Sequence, residues 1–171
     1  MAELGAEIAK LIREHEARAG ELLTIGTVES ATGGKIADRI TNVAGSSDYF
    51  KGSVVAYSNE TKIALLGVNT STLEKHGAVS EQTALEMARG GRKLLDVDVC
   101  ISDTGIAGPA GGTPSKPVGL FYLGLAAEGI ILSQKHMFQG DREGNKRDAV
   151  EAALNMLKQY LVQCISNIVR S

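Results

Sequence analysis

The strongest constraint on the fold is a short polar turn held between two different hydrophobic periods. Leu22 to Val28 is a compact apolar run carrying Thr24 and Thr27, which reads as a buried strand. Glu29-Ser30-Ala31-Thr32-Gly33-Gly34 follows at once, and then Ile36, Ala37, Ile40 and Ala44 restore a helical period. Thr32 is placed to cap that helix. A strand that passes through a glycine-bearing turn directly into a helix is the opening unit of an α/β fold.

The rest of the chain repeats this alternation. Leu4, Ile8, Leu11 and Ile12 predict an amphipathic first helix ending near Gly20. Phe50 to Tyr57 reads as a second strand, and Asn59 can cap a short helix that holds Lys62 and is closed by Gly67. Ser80 opens a longer helix with Ala84, Met87, Ala88, Gly91 and Leu95 inward. Val97 to Ile101 is a third strand, running into a loop from Ser102 to Lys116 that is rich in glycine and proline. Val118 to Ala127 and Ile130 to Phe138 form a hairpin about Glu128-Gly129, and the last helix carries Val150, Leu154, Leu157, Leu161, Cys164 and Ile168. Five strands interleaved with helices predict a three-layer α/β/α sandwich with a mixed, mostly parallel five-stranded sheet. The hairpin requires one antiparallel strand. At 171 residues the chain is expected to form a single domain over residues 1–171.

Composition excludes several function classes. The net charge of −2 comes without a polybasic run, and aromatic residues are only 4% of the chain, so a broad nucleic-acid surface is not expected. No apolar run has the length of a membrane span, and the charged N-terminus lacks the apolar core of a signal peptide. Cys100 and Cys164 both sit in apolar runs and read as small buried hydrophobes. A reducing, cytoplasmic setting is therefore expected. No Walker A sequence, GxGxxG signature or zinc spacing is present, so neither a metal nor a cofactor is demanded.

In such sheets ligands sit beyond the carboxyl ends of the strands. Ser30 stands at that edge, with the amides of Thr32, Gly33 and Gly34 expected as free donors at a helix N-terminus. The same residues could be no more than a capped turn. A nucleophilic serine needs a base. His15, His76 and His136 all fall away from the predicted edge, whereas Lys62 falls in a first helical turn, where the dipole disfavours its charge. Tyr57, just upstream, could relay the proton or fix the lysine; Lys62 could instead be a solvated surface residue. Thr104, Gly105 and Gly108 offer a hydroxyl and amides from the third loop. Arg142, in the first turn of the last helix, suggests an anionic partner such as a phosphate, unless it only pairs with Asp141 or Glu143.

Taken together, eight blocks resemble the CinA C-terminal domain family: Glu-Ser-Ala-Thr-Gly-Gly (29–34), Gly-Ser-Ser (45–47), Val-Val-Ala-Tyr-Ser-Asn-Glu-Thr-Lys (54–62), Leu-Gly-Val (66–68), Gly-Ala-Val-Ser-Glu (77–81), Thr-Gly-Ile-Ala-Gly-Pro (104–109), Lys-Pro-Val-Gly (116–119) and Gly-Asp-Arg (140–142). They come in the family's order and cover nearly the whole chain. The resemblance implies nicotinamide-nucleotide amidohydrolase activity, in which nicotinamide mononucleotide and water give nicotinic acid mononucleotide and ammonia. It also implies a homodimer. Many relatives carry a larger N-terminal pyrophosphatase-like domain; here the resemblance starts with the chain, so only deamidation is expected. By motif match Ser30 is the nucleophile and Lys62 the general base, with Tyr57 assisting. Thr32, Gly33, Gly34, Ser46, Ser47, Thr104, Gly105 and Gly108 would hold the oxyanion, ribose or phosphate, and Arg142 the phosphate. The family often has Cys after the serine; Ala31 stands here, so a thiol at that position cannot be the nucleophile. Two other readings remain: a non-catalytic module binding a phosphorylated ligand, and an amidase for another small carboxamide.

Overall fold

A computed structural model describes residues 2–170. Five strands, β1 (Ile25–Glu29), β2 (Phe50–Val55), β3 (Val99–Gly105), β4 (Leu120–Ala127) and β5 (Ile130–Met137), form one sheet in the order β2-β1-β3-β4-β5. β1 pairs in parallel with both β2 and β3, and the remaining pairs are antiparallel. β4 alone therefore runs against the other four strands, as the hairpin requires.

Helices cover both faces. Side chains alternate along β1, so Ile25 joins the core beneath α1 (Ala2–Ala19), α2 (Lys35–Thr41) and α6 (Arg142–Arg170), while Val28 joins the core beneath the other helices. The first core packs Ile8, Ile12, Ile36, Ile40, Val150, Leu154, Leu157 and Leu161 onto Ile101, Leu123 and Leu125. The second packs Leu66 of α3 (Asn59–Leu66), Leu73 of α4 (Thr70–His76) and Met87 of α5 (Glu81–Leu95) onto Val28 and Cys100.

The second layer sits unusually close to the sheet. A Cβ on Gly91 would lie 2.4 Å from Val28 Cγ1, and one on Gly90 would lie 1.8 Å from the Leu66 carbonyl oxygen. Only glycine lets α5 settle onto β1 and lets the end of α3 settle onto α5. That packing fixes α3, and with it Lys62.

The structure departs from the sequence expectations in several places. β3 runs on through Ser102, Asp103 and Thr104 because β4 pairs with each of them, so these residues belong to the sheet and not to a loop. Ser58, not Asn59, caps α3, its hydroxyl accepting from the Thr61 amide at 3.2 Å. α4, which has little apolar periodicity of its own, forms where Leu73 finds the second core. Cys100 is fully buried, and burial pushes its thiol up to about 12; Cys164 is only partly buried. Among the described residues no helix is long and apolar enough to cross a membrane.

Candidate active site

The strand alternation that splits the core also splits the chemistry at the end of β1. Glu29 faces α2, and Ser30, the next residue, faces α3. The Glu29 carboxylate is completely buried and accepts from the amides of Gly34 (2.8 Å), Ile36 (3.1 Å) and Ala37 (2.8 Å). It thus satisfies the N-terminus of α2, where a negative charge is favoured by the helix dipole. Thr32 does not cap this helix. The N-cap is Gly34, in a left-handed conformation (φ 95°) with no side-chain bond of its own.

Asp103, buried in β3, completes the turn from the neighbouring strand. Its carboxylate accepts from the amides of Ser30 (2.9 Å) and Thr32 (3.0 Å). The Thr32 hydroxyl lies 2.6 Å from both Glu29 Oε2 and Asp103 Oδ2. The amides of Thr32 and Gly34 are therefore taken by carboxylates of the chain itself. The expectation that they are free donors for a ligand is overturned, because the protein supplies its own anions at the turn.

Lys62 enters from the opposite side. Ser58 starts α3 one residue before Asn59, which puts Lys62 at the fourth helical position, pointing back toward the sheet edge. Its side chain is 1% exposed, and its Nζ lies 2.9 Å from Ser30 Oγ, 2.9 Å from the Ala56 carbonyl and 3.2 Å from the Tyr57 carbonyl. Carbonyls can only accept, so they fix two of the amine's N–H bonds. The third tetrahedral position is left facing Ser30. In the neutral amine that position is a lone pair, and the serine hydroxyl donates into it. Burial lowers the Lys62 pKa from its ordinary value, with the nearby Asp103 charge opposing in part. The solvated-surface reading of this lysine does not hold.

Ser30 and Lys62 open onto a cavity of about 260 Å³, lined also by Ala31, Tyr57, Ala78, Val79 and the chain from Thr104 to Gly108. The cavity wall is tied down at several points. The Thr104 hydroxyl donates its one hydrogen to the Ala78 carbonyl at 2.7 Å and so braces the wall, leaving its oxygen able only to accept. Asn145, buried in α6, donates to the Ala107 carbonyl at 3.0 Å, and Lys116 reaches the His76 carbonyl. Arg142 lines the rim. It donates to the Gly108 carbonyl at 2.8 Å, and its other terminal nitrogen is 3.4 Å from the Tyr57 hydroxyl. It pairs with neither alternative partner: Asp141 caps α6 through the Gly144 amide, and Glu143 engages Lys35.

The structure brings together Ser30, Lys62, Tyr57, Thr104, Gly105, Gly108 and Arg142 around this cavity. Tyr57 meets the lysine through its carbonyl; the residue is 64% exposed at the rim. Thr32, Gly33 and Gly34 are not among the lining residues: Thr32 is buried in the carboxylate network, and Gly33 faces Lys146. Ser46 and Ser47 also lie elsewhere. Their short 3-10 turn (Ser46–Asp48) precedes β2, which enters in parallel register with the start of β1. Five strand residues, about 16 Å, separate that edge from Ser30.

Glu29, Asp103 and Asn145 had no role on sequence grounds. The available signal was an acidic residue ending an otherwise apolar strand, twice, at an edge where buried charge needs partners.

The family model for the CinA C-terminal domain matches residues 5–161. A CinA-like protein from Kosmotoga olearia is 50% identical over 143 residues, which cover 84% of this chain and 35% of the relative. The chain spans about a third of the length of the curated relatives it matches. Among solved structures, a CinA superfamily protein from Klebsiella pneumoniae superposes with a TM-score of 0.87 at 33% identity, covering 95% of this chain and 98% of that one. The competence/damage inducible protein CihA from Agrobacterium tumefaciens gives 0.83 at 37% identity, covering 90% and 93%. With its sheet order, its buried Ser30–Lys62 contact and these matches, the chain belongs to the CinA C-terminal domain family.

Proposed function

We propose that the chain is an amidohydrolase that deamidates nicotinamide mononucleotide through an acyl-enzyme on Ser30. The observation that carries this reading is the buried Lys62 amine, 2.9 Å from Ser30 Oγ with its other bonds directed at two carbonyls. A desolvated amine with a lowered pKa is a competent base for a serine hydroxyl.

Lys62 takes the Ser30 proton as Oγ attacks the carboxamide carbon. The lysine then gives that proton to the departing nitrogen, and ammonia leaves. Water attacks the resulting ester, its proton passes to Lys62, and Lys62 returns that proton to Ser30 Oγ as the C–Oγ bond breaks and the acid departs. Ala31, Ala107 and Gly108 line the cavity together with Ser30, and their amides are the candidate donors for a developing oxyanion. The volume suits a pyridine ring and its carboxamide, with ribose and phosphate directed toward Arg142 at the rim.

The test is ammonia release from nicotinamide mononucleotide by the purified protein and by Ser30→Ala. Loss of turnover in the variant is expected; near-normal deamidation would remove Ser30 as nucleophile. A panel of other carboxamides run alongside separates the nucleotide reading from amidase activity on a different substrate.

A further inference from the structure

A single hydroxyl that touches two buried carboxylates poses a proton-counting problem. Thr32 Oγ1 is 2.6 Å from Glu29 Oε2 and 2.6 Å from Asp103 Oδ2. A hydroxyl carries one hydrogen and can donate to one of them only. If both acids were ionised, the other contact would set two oxygen lone pairs against each other in a dry interior. We propose that Glu29, Thr32 and Asp103 form one proton-holding unit, in which an Asp103 carboxyl proton is donated to Thr32, the Thr32 hydroxyl donates to Glu29, and the charge of the unit sets the base strength of Lys62. The link to Lys62 rests on the Ser30–Lys62 reading above; the proton-holding itself does not.

The donors decide which acid keeps the charge. Besides Thr32, Glu29 receives three backbone amides and the hydroxyls of Thr27 and Ser53, at 3.2 and 3.4 Å. Asp103 receives two amides. Five donors hold the negative charge on Glu29, so the proton that the unit takes up goes to Asp103 Oδ2, and Oδ1 still accepts the Thr32 amide. Burial and the neighbouring Glu29 charge push the Asp103 carboxyl up to about 6, against the bonds from Thr32 and Ser30, and below that pH the unit holds its proton.

Lys62 comes from α3, Lys35 from the start of α2, and Arg142 and Lys146 from α6. Lys35 is neutralised by Glu143, Arg142 is engaged at Gly108, and Lys146 lies beside Gly33. Lys62 is the buried cation of the set, and the Asp103 charge raises its pKa against the effect of burial. When Asp103 holds its proton, that opposition is absent and Lys62 gives up its own proton at lower pH. Asp103 is accordingly a positioning residue: it holds the Ser30 amide and tunes the base without touching substrate.

The experiment follows the Asp carboxyl and Lys side-chain carbon resonances of the uniformly carbon-labelled wild-type protein, assigned by through-bond correlation to the backbone and titrated by NMR, with Asp103→Asn run for comparison. The Asp103 resonance is expected to titrate well above the ordinary aspartate value of about 3.9. Lys62 should show a second inflection at the same pH, because coupled sites report each other's ionisation. In Asp103→Asn the Lys62 midpoint should move down by roughly one pH unit. An Asp103 resonance that titrates at the ordinary value overturns the proton-holding unit, whatever the enzyme's activity. A raised Asp103 midpoint with no Lys62 inflection overturns the tuning role alone. Both readings come from the wild-type protein, so they stand even if the variant fails to fold.

Discussion

Lys62 Nζ donates to the Ala56 carbonyl at 2.9 Å, the same distance that separates it from Ser30 Oγ. The amine is therefore oriented by main chain that does not depend on substrate. Two carbonyls from the segment after β2 act as a clamp, and the serine receives the direction left over.

Removing the base and keeping its charge should be equally damaging. Lys62→Met lacks the amine, and Lys62→Arg keeps a cation that cannot lose its proton. Both are expected to lower kcat by about 10² to 10⁴. If Lys62→Arg retained more than a tenth of the activity, the lysine would be acting by charge and not as a base.

The rate should rise with pH across the lysine's titration. The base must be neutral, and burial sets the Lys62 pKa below its ordinary value, so log kcat/KM is expected to climb and level off below the ~10.4 of a free lysine. Stability has its own sign. In the window between the lowered folded pKa and the ordinary one, the unfolded chain binds the proton that the folded chain has released. The Lys62 contribution to stability therefore improves as pH rises through that window. Denaturant titrations of wild type and Lys62→Met on the alkaline side should converge as pH increases.

Closing the gap between α3 and α5 should disturb the site from a distance. Gly90→Ala places a Cβ 1.8 Å from the Leu66 carbonyl oxygen, and backbone must move to admit it. A loss of about 3 kcal/mol in chemical denaturation is expected, with a fall in kcat because Lys62 rides on the displaced helix. Unchanged stability would mean that α3 shifts without cost.

On the proposed function, Arg142 is expected to separate substrates by their phosphate. Arg142→Ala should raise KM for the mononucleotide by roughly 10- to 100-fold, the loss of a charge-assisted contact. Turnover of the corresponding nucleoside should change far less. An equal effect on both would assign Arg142 to holding Gly108 in place and not to the phosphate.

The layers, the sheet and the hairpin were legible because each rests on a local pattern. The alternation of Leu22 to Val28 with the period of Ile36 to Ala44 is one case, and Glu128-Gly129 between two apolar runs is another. Lys62 was legible from its place in a first turn, even though the cap proved to be Ser58. What did not show in the sequence depends on partners far along the chain. Asp103 reads as a loop residue until β4 pairs with it, and its acceptors for the Ser30 and Thr32 amides lie more than seventy residues from them. Ser46 and Ser47 looked like part of the turn chemistry, but chain direction decides which sheet edge a loop joins. Theirs joins the amino edge.

The Glu29 carboxylate at the head of α2 has a consequence for the timing of catalysis. With the amides of Gly34, Ile36 and Ala37 already answered, and the Ser30 amide held by Asp103, the segment has nothing to gain by rearranging when a ligand arrives. Its reorganisation energy is spent during folding. Ser30, the proposed nucleophile, is held in place before any ligand binds, and ordering on binding is expected at the rim, where Tyr57 and Arg142 are exposed.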